Sequence, residues 1–178
     1  IGDPHLRIED EIQAKLLIKN INSLLSENTN INIIVILGDI LHNHEKLHSA
    51  SLNLALEFFK MCKNYCPTYC LVGNHDATNN TIFLSDNHWM NICKEWKNFT
   101  VVDKPIIIDI KGISLGFCPY VPDGRFVEAM STLKSKSKSE PGSNWLNCNI
   151  VFAHQLFNGA KMGAIVAENV EEYLDDYP

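Results

Sequence analysis

The chain lacks several things. No run approaches the ~20 consecutive apolar residues that a bilayer-spanning helix needs, and no positive, apolar and small-residue succession marks a secretory signal. The reading is therefore a protein that is neither membrane-embedded nor secreted. The six cysteines (Cys62, Cys66, Cys70, Cys93, Cys118 and Cys148) include no Cys-x-x-Cys pair, which argues against a structural zinc knuckle. They read as buried free thiols of a reducing compartment. Positive charge is short as well: 15 Lys and Arg stand against 21 Asp and Glu, for a net charge of −6. That balance argues against an open nucleic-acid surface. The argument weakens if a site gathers divalent cations, whose charge draws phosphate to an acidic protein. No internal repeat is visible. What remains, 46% hydrophobic and 20% charged over 178 residues, suits one globular domain over 1–178. The first residue is Ile and not Met, so the domain is read as incomplete at both ends.

Apolar residues at Ile8, Ile12, Leu16, Ile18, Ile21, Leu24 and Leu25 carry helical spacing over 8–26. A strand is expected at 31–37. A second helix is expected from Glu45 to Tyr65, striped by Leu47, Leu52, Leu54, Ala55, Phe58, Phe59 and Met61 and stopped by Pro67. A strand at 68–72 follows, and this alternation implies a sheet parallel at its centre. The second half reads differently. A short helix is expected at 87–96, a hairpin at 105–110 and 113–117 across Lys111-Gly112, and a helix at 125–133. The Lys/Ser-rich stretch 134–143 reads as an exposed loop. The sum is an α/β protein with a mixed sheet or two-sheet sandwich and helices outside.

Metal-grade side chains close the apolar runs. Asp3-Pro4-His5 opens the chain in what reads as a strand, where residues two apart face the same way and can reach one cation. Gly38-Asp39 ends the run 31–37, Gly73-Asn74-His75-Asp76 ends 68–72, and Ala153-His154 ends 149–152. An α/β sheet gathers such strand ends along one edge. Carboxylate, amide oxygen and imidazole together suit Mn²⁺, Fe or Zn²⁺ better than Ca²⁺.

These segments, in this order, resemble the calcineurin-like metallophosphoesterase superfamily, whose marks are Asp-x-His, Gly-Asp, Gly-Asn-His-Asp/Glu, a lone His after a strand, and a final Gly-His-x-His. The resemblance covers the whole chain and implies a four-layer α/β/β/α sandwich. It implies two divalent ions, foremost Mn²⁺, with Fe, Zn²⁺ or Mg²⁺ as alternatives. Asp3, His5 and Asp39 would hold the first ion, and Asp39, Asn74 and His154 the second. His75 would be the general acid, with His42 helping to place it and the substrate. Asp76 would support the turn. The final Gly-His-x-His is missing, which reads as truncation before the last strand.

Gly38-Asp39-Ile40-Leu41-His42, followed by a long helix, looks like the SbcD-like exonuclease branch of double-strand-break repair, and the segment 153–163 resembles its phage and viral members. That branch implies a DNA exo- or endonuclease, a coiled-coil ATPase partner of the SbcC-like type, a possible homodimer, and a cytoplasmic or nucleoid-associated place, including a viral protein in its host cell. Arg7, Lys161 and Arg125 are candidate phosphate contacts, each with a solvated-charge alternative. A nucleotide or other small-molecule phosphoesterase of the same fold is the alternative function, and a non-catalytic scaffold a third. His44, His48 and His88 read as ordinary surface or helix positions.

Overall fold

The computed structural model describes residues 1–44, 46–133, 145–162, 165–168, 170 and 173. The expected loop 134–143 and the C-terminal Asp176-Tyr177-Pro178 lie outside them. A 3-10 turn at Ile8–Asp10 leads into helix α1 (Glu11–Glu27), followed by β1 (Ile34–Ile36), α2 (Ser49–Tyr65) and β2 (Thr68–Leu71). A second 3-10 turn at Trp89–Cys93 precedes β3 (Phe99–Val102), then β4 (Ile106–Ile110) and β5 (Ile113–Cys118). Helix α3 (Phe126–Ser131), a 3-10 turn at Trp145–Asn147, β6 (Ile150–Ala153) and the two-residue strands β7 (Lys161–Met162) and β8 (Ile165–Val166) complete it.

Two three-stranded sheets result. In the first, β1, β2 and β3 lie side by side and parallel, with Ile36 opposite Cys70 and Leu71 opposite Val102. In the second, β4 pairs antiparallel with β5 through the Lys111-Gly112 turn, and β6 joins β5 in parallel with Phe152 opposite Phe117. Lys111 and Gly112 both have positive φ (55° and 83°), the geometry that lets two residues reverse a twisted pair of strands. Inner faces of the two sheets meet over Leu71, Val102, Leu115 and Phe117. Against the other face of the first sheet pack α1 and α2, the latter through Leu54, Ala55, Phe58, Phe59 and Cys62. Met130 of α3 packs with Cys118 and Val121 outside the second sheet. The order is α/β/β/α.

Helix α2 begins four residues later than the sequence suggests, with His48 extended (φ −80°, ψ 125°) just ahead of it. Its C-terminal end agrees: the Cys66 N–H still reaches the Cys62 carbonyl and Pro67 then forbids another turn. The apolar row on α1 is only half used. Leu25 is buried and Ile18 and Ile21 pack against the core, whereas Ile12, Leu16 and Leu24 are exposed. Among the described residues no helix is long and apolar enough to cross a membrane, and all six cysteines are free.

Candidate metal centre

β1 and β2 are parallel neighbours, so Leu37-Gly38-Asp39 and Val72-Gly73-Asn74-His75 emerge together at one edge. β6 of the second sheet delivers His154, whose N–H donates to the Cys118 carbonyl (3.2 Å). The close approach requires two glycines. A Cβ on Gly38, where φ is +102°, would lie 2.8 Å from His154 Nδ1 and 2.9 Å from Gly73 Cα, and one on Gly73 would overlap the Asp39 carboxylate.

The opening segment corrects the sequence reading. Residues 1–5 are not a strand. They run beside the continuation of β1 through bonds from Leu37 N to Ile1 O and from His5 N to Asp39 O, with a single β-bridge at Leu6–Leu41. Asp3 and His5 have φ of +31° and +42°. The two-residue alternation of a strand does not apply, although both side chains still line one cavity. Asp3 joins Asp39 and His154 in one group of donors, while His5 joins Asp39 and His75 in another.

Asp39 is shared by both groups and is nearly buried. Its Oδ2 lies 3.6 Å from His5 Nε2 and 3.9 Å from His75 Nε2, and its Oδ1 lies 3.4 Å from His154 Nε2. Oδ1 also accepts the His75 backbone N–H at 2.9 Å. One carboxylate thus presents one oxygen to each group.

Proton positions follow from the acceptors. A backbone carbonyl can only accept, so His154 Nδ1 donates to Leu37 O (2.6 Å) and the neutral ring carries its lone pair on Nε2. That lone pair faces Asn74 Oδ1 at 3.0 Å and Asp39 Oδ1 at 3.4 Å. In the neutral, metal-ligating form of the ring three acceptors converge there, a place that a divalent cation would fill. His5 gives a second sign: its Nδ1 is buried without a protein partner. Burial holds the His5 imidazole below its ordinary pKa, with Asp39 pulling the other way, so the neutral form that ligates metal is favoured. The residues present fit two divalent ions, one among His5, Asp39 and neighbours and one among Asp3, Asp39, Asn74 and His154.

His75 Nδ1 donates to the carbonyl of His42 at 2.7 Å, which leaves Nε2 as the atom turned toward Asp39. The His42 ring lies 5.8 Å from the His75 ring and 5.5 Å from the His5 ring. His44, read from sequence as an ordinary position, stacks on His75 with centroids 4.1 Å apart. His88 is likewise no surface residue: it is buried, with Nε2 3.4 Å from Asp103 Oδ2. Asp76 is buried and accepts from Ile40 N and Trp89 Nε1 through Oδ1 and from Gly73 N through Oδ2, tying the loops of Asp39 and Asn74 together. Burial pushes its carboxyl up to about 6.

Two cavities flank Asp39. One of about 670 Å³ is lined by His5, His42, His75, Arg7, Gln13 and Leu17. The other, of about 660 Å³, is lined by Asp3, Asn74, His154, Tyr120, Asp123 and Leu156, with Asp39 and His5 at its edge. Arg7 therefore stands at the site, its Nε donating to Asp10. Arg125 does not: its guanidinium pairs with Glu128 and lies 3.7 Å from the centre of the Phe83 ring. Lys161, on β7, lines neither cavity.

Residues 1–175 match the family model described as calcineurin-like phosphoesterase. The chain is 45% identical over 179 residues to "Putative phosphoesterase 244L" of Invertebrate iridescent virus 6, covering all of this chain and 60% of that protein. It is 38% identical over 178 residues to "Putative phosphoesterase 078R" of Invertebrate iridescent virus 3, covering all of this chain and 49% of that one. The chain thus spans between half and three fifths of the length of these relatives.

Proposed function

The chain belongs to the calcineurin-like phosphoesterase family, and from that premise we propose that it hydrolyses phosphodiesters at a two-metal centre and that its substrate is DNA. The observation that carries the two-metal reading is Asp39, whose two oxygens face separate groups of donors. Bound there, divalent cations supply Lewis-acid activation and a clamp on the attacking and leaving oxygens of a phosphoryl transfer. Mn²⁺ is the ion proposed.

The chain's own groups do the rest. Asp39 orients by two means, its carboxylate and the bond it accepts from the His75 backbone. The His42 carbonyl fixes the His75 tautomer, so a protonated His75 has its second N–H, at Nε2, free for the leaving oxygen. A nearly neutral pKa suits imidazole to that exchange. His42 thereby acts on His75 through its main chain as well as through its ring.

Cavities on both sides of Asp39 support a diester over a monoester, because both substituents of the phosphorus need room. Arg7 on the His75 side is the contact proposed for the neighbouring phosphate. The likeness of Gly38-Asp39-Ile40-Leu41-His42 to the SbcD-like branch supports DNA, and a coiled-coil ATPase partner belongs to the same proposal. One observation favours a small nucleotide substrate instead: Asp3 and Asp123 line the cavity on the His154 side of an already acidic chain.

Hydrolysis of single- and double-stranded DNA, measured beside bis-p-nitrophenyl phosphate with Mn²⁺, separates the readings. DNA cutting that His75→Ala abolishes supports the nuclease. Hydrolysis of the small diester alone replaces it with a nucleotide phosphodiesterase. Inertness toward both, with metal bound, would leave a scaffold.

A further inference from the structure

We propose that His44 is a positioning residue for His75, holding the plane of its ring so that Nε2 meets the leaving oxygen. The proposal rests on the general-acid reading of His75 given above.

The hydrogen bond from Nδ1 to the His42 carbonyl fixes one edge of the His75 ring. Large rotation about the second side-chain torsion would break that bond, but a single bond leaves the ring plane free to tilt within the broad well that histidine has there. A flat surface in contact with the ring restricts that freedom, since tilting forfeits many small dispersion contacts at once. His44 is such a surface. Its centroid is 4.1 Å from that of His75 and the planes differ by 26°. His5 meets His75 edge-on at 5.0 Å, and His42 is 5.8 Å away, so His44 makes the closest ring contact of the three.

The space beside the pair gives the contact its purpose. His44 lines an open cavity of about 570 Å³ with Asn43, Lys46, His48 and Asn79, a cavity that His75 does not line. His44, and not His75, therefore borders that open volume. Nor is His44 a metal candidate: neither group of donors around Asp39 includes it among the described residues. His44 follows shortly after the β-bridge between Leu6 and Leu41, which holds this stretch of chain beside the site.

The test uses the full natural chain with Mn²⁺ and two diesters of similar shape. Bis-p-nitrophenyl phosphate loses a weakly basic phenolate that needs little proton donation, whereas diphenyl phosphate loses a more basic one that needs it. His44→Ala is expected to lower kcat on diphenyl phosphate by about tenfold, part of the 10²–10⁴ that a positioned acid contributes, with KM and metal binding unchanged. On bis-p-nitrophenyl phosphate the loss is expected to stay within about threefold, since little proton transfer is needed there. His44→Phe, which keeps a flat ring and no titratable group, is expected to restore most of the activity. Independently of turnover, and in protein loaded with diamagnetic Zn²⁺ in place of Mn²⁺, the ring protons of His75 are expected to resonate upfield in the natural protein, to move downfield in His44→Ala and to return in His44→Phe. Equal losses on both esters, no rescue by Phe, lost metal binding or unchanged His75 resonances would each overturn the proposal. A natural protein inert toward both diesters while holding metal overturns the phosphodiesterase reading itself, a failure distinct from one confined to the variants.

Discussion

Asp39 has a positive φ (50°), as do Asp3 and His5, and non-glycine residues in that region store roughly 1–3 kcal/mol each when the surroundings hold them there. Three donors of one site share the feature, which ties the strain to the site. Asp39→Asn keeps the shape and removes the charge between the two groups of donors; isothermal titration with Mn²⁺ is expected to lose both binding events. Gly73→Ala acts by bulk, since its methyl would overlap the Asp39 carboxylate. The methyl would also meet the Asp39 backbone nitrogen, so the variant is expected to lose metal binding and to melt at a lower temperature. In the general-acid reading His75→Ala should leave metal bound through His5 and Asp39 and turnover absent, because the variant lacks the Nε2 proton for the leaving oxygen; loss of metal in the same titration would make His75 a ligand. At this scale the sequence tells which residues gather and misses how they divide. Asp39, Asn74 and His154 sit at strand ends, where periodicity locates them. Asp3 and His5 separate because their backbone is left-handed, and no spacing rule shows that. His44 reads as an ordinary surface or helix position because no periodicity around it points toward His75, and only the folded path of the chain brings the two rings together.

Helix α2 was legible nearly whole because its stripe meets a flat sheet: Phe58, Phe59 and Cys62 fall on one face at helical spacing. Phe59 is fully buried, with the Phe99 ring 4.6 Å and the Trp89 ring 5.7 Å away. Phe59→Ala is expected to cost about 3–5 kcal/mol in a urea melt. β3 carries no signal of its own in the sequence. Its four residues Phe99–Val102 are too few for a period to show, and the parallel ladder to β2 defines them. Just beyond β3, Asp103 fastens the 3-10 turn at Trp89–Cys93 through His88 and Lys94. Burial raises its carboxyl, but the bonds from His88 and Lys94 outweigh it and bring the pKa down to about 2. A depressed carboxyl stabilises the fold above its free value of 3.8 and loses that contribution as pH falls through about 2. Asp103→Asn is therefore expected to lower stability by about 1–2 kcal/mol at pH 6, after allowance for solvent screening. The gap between the two melting curves should close between pH 4 and pH 2; a gap constant with pH would contradict it.

For the molecule as a whole, the order of elements was enough to specify parallel strands with crossover helices, and the hairpin signal at Lys111-Gly112 was enough to start a second sheet. The stacking of one sheet on the other was not written in any local pattern. It comes from Leu71, Val102, Leu115 and Phe117, which are far apart in the chain and meet only in the sandwich. On the proposed function the net charge of −6 gains meaning from the site, since cations bound at Asp39 would offset it where a phosphate would arrive. Excess Mn²⁺ should raise the melting temperature, each ion adding about 2.7 kcal/mol at a hundredfold excess over its Kd; an unchanged midpoint would argue against folded-state metal sites.

Asp39 and Asn74 hang from the first sheet, whereas His154 hangs from the second and donates to Leu37 across the gap. An ion held among them is a rivet through both layers. The sandwich cannot then spring open while the rivet stays, so the speed of unfolding becomes tied to the speed at which the ion escapes. For such a protein a chelator at neutral pH acts as a slow denaturant, and amide protons of β2 and β6 should begin to exchange together when it is added.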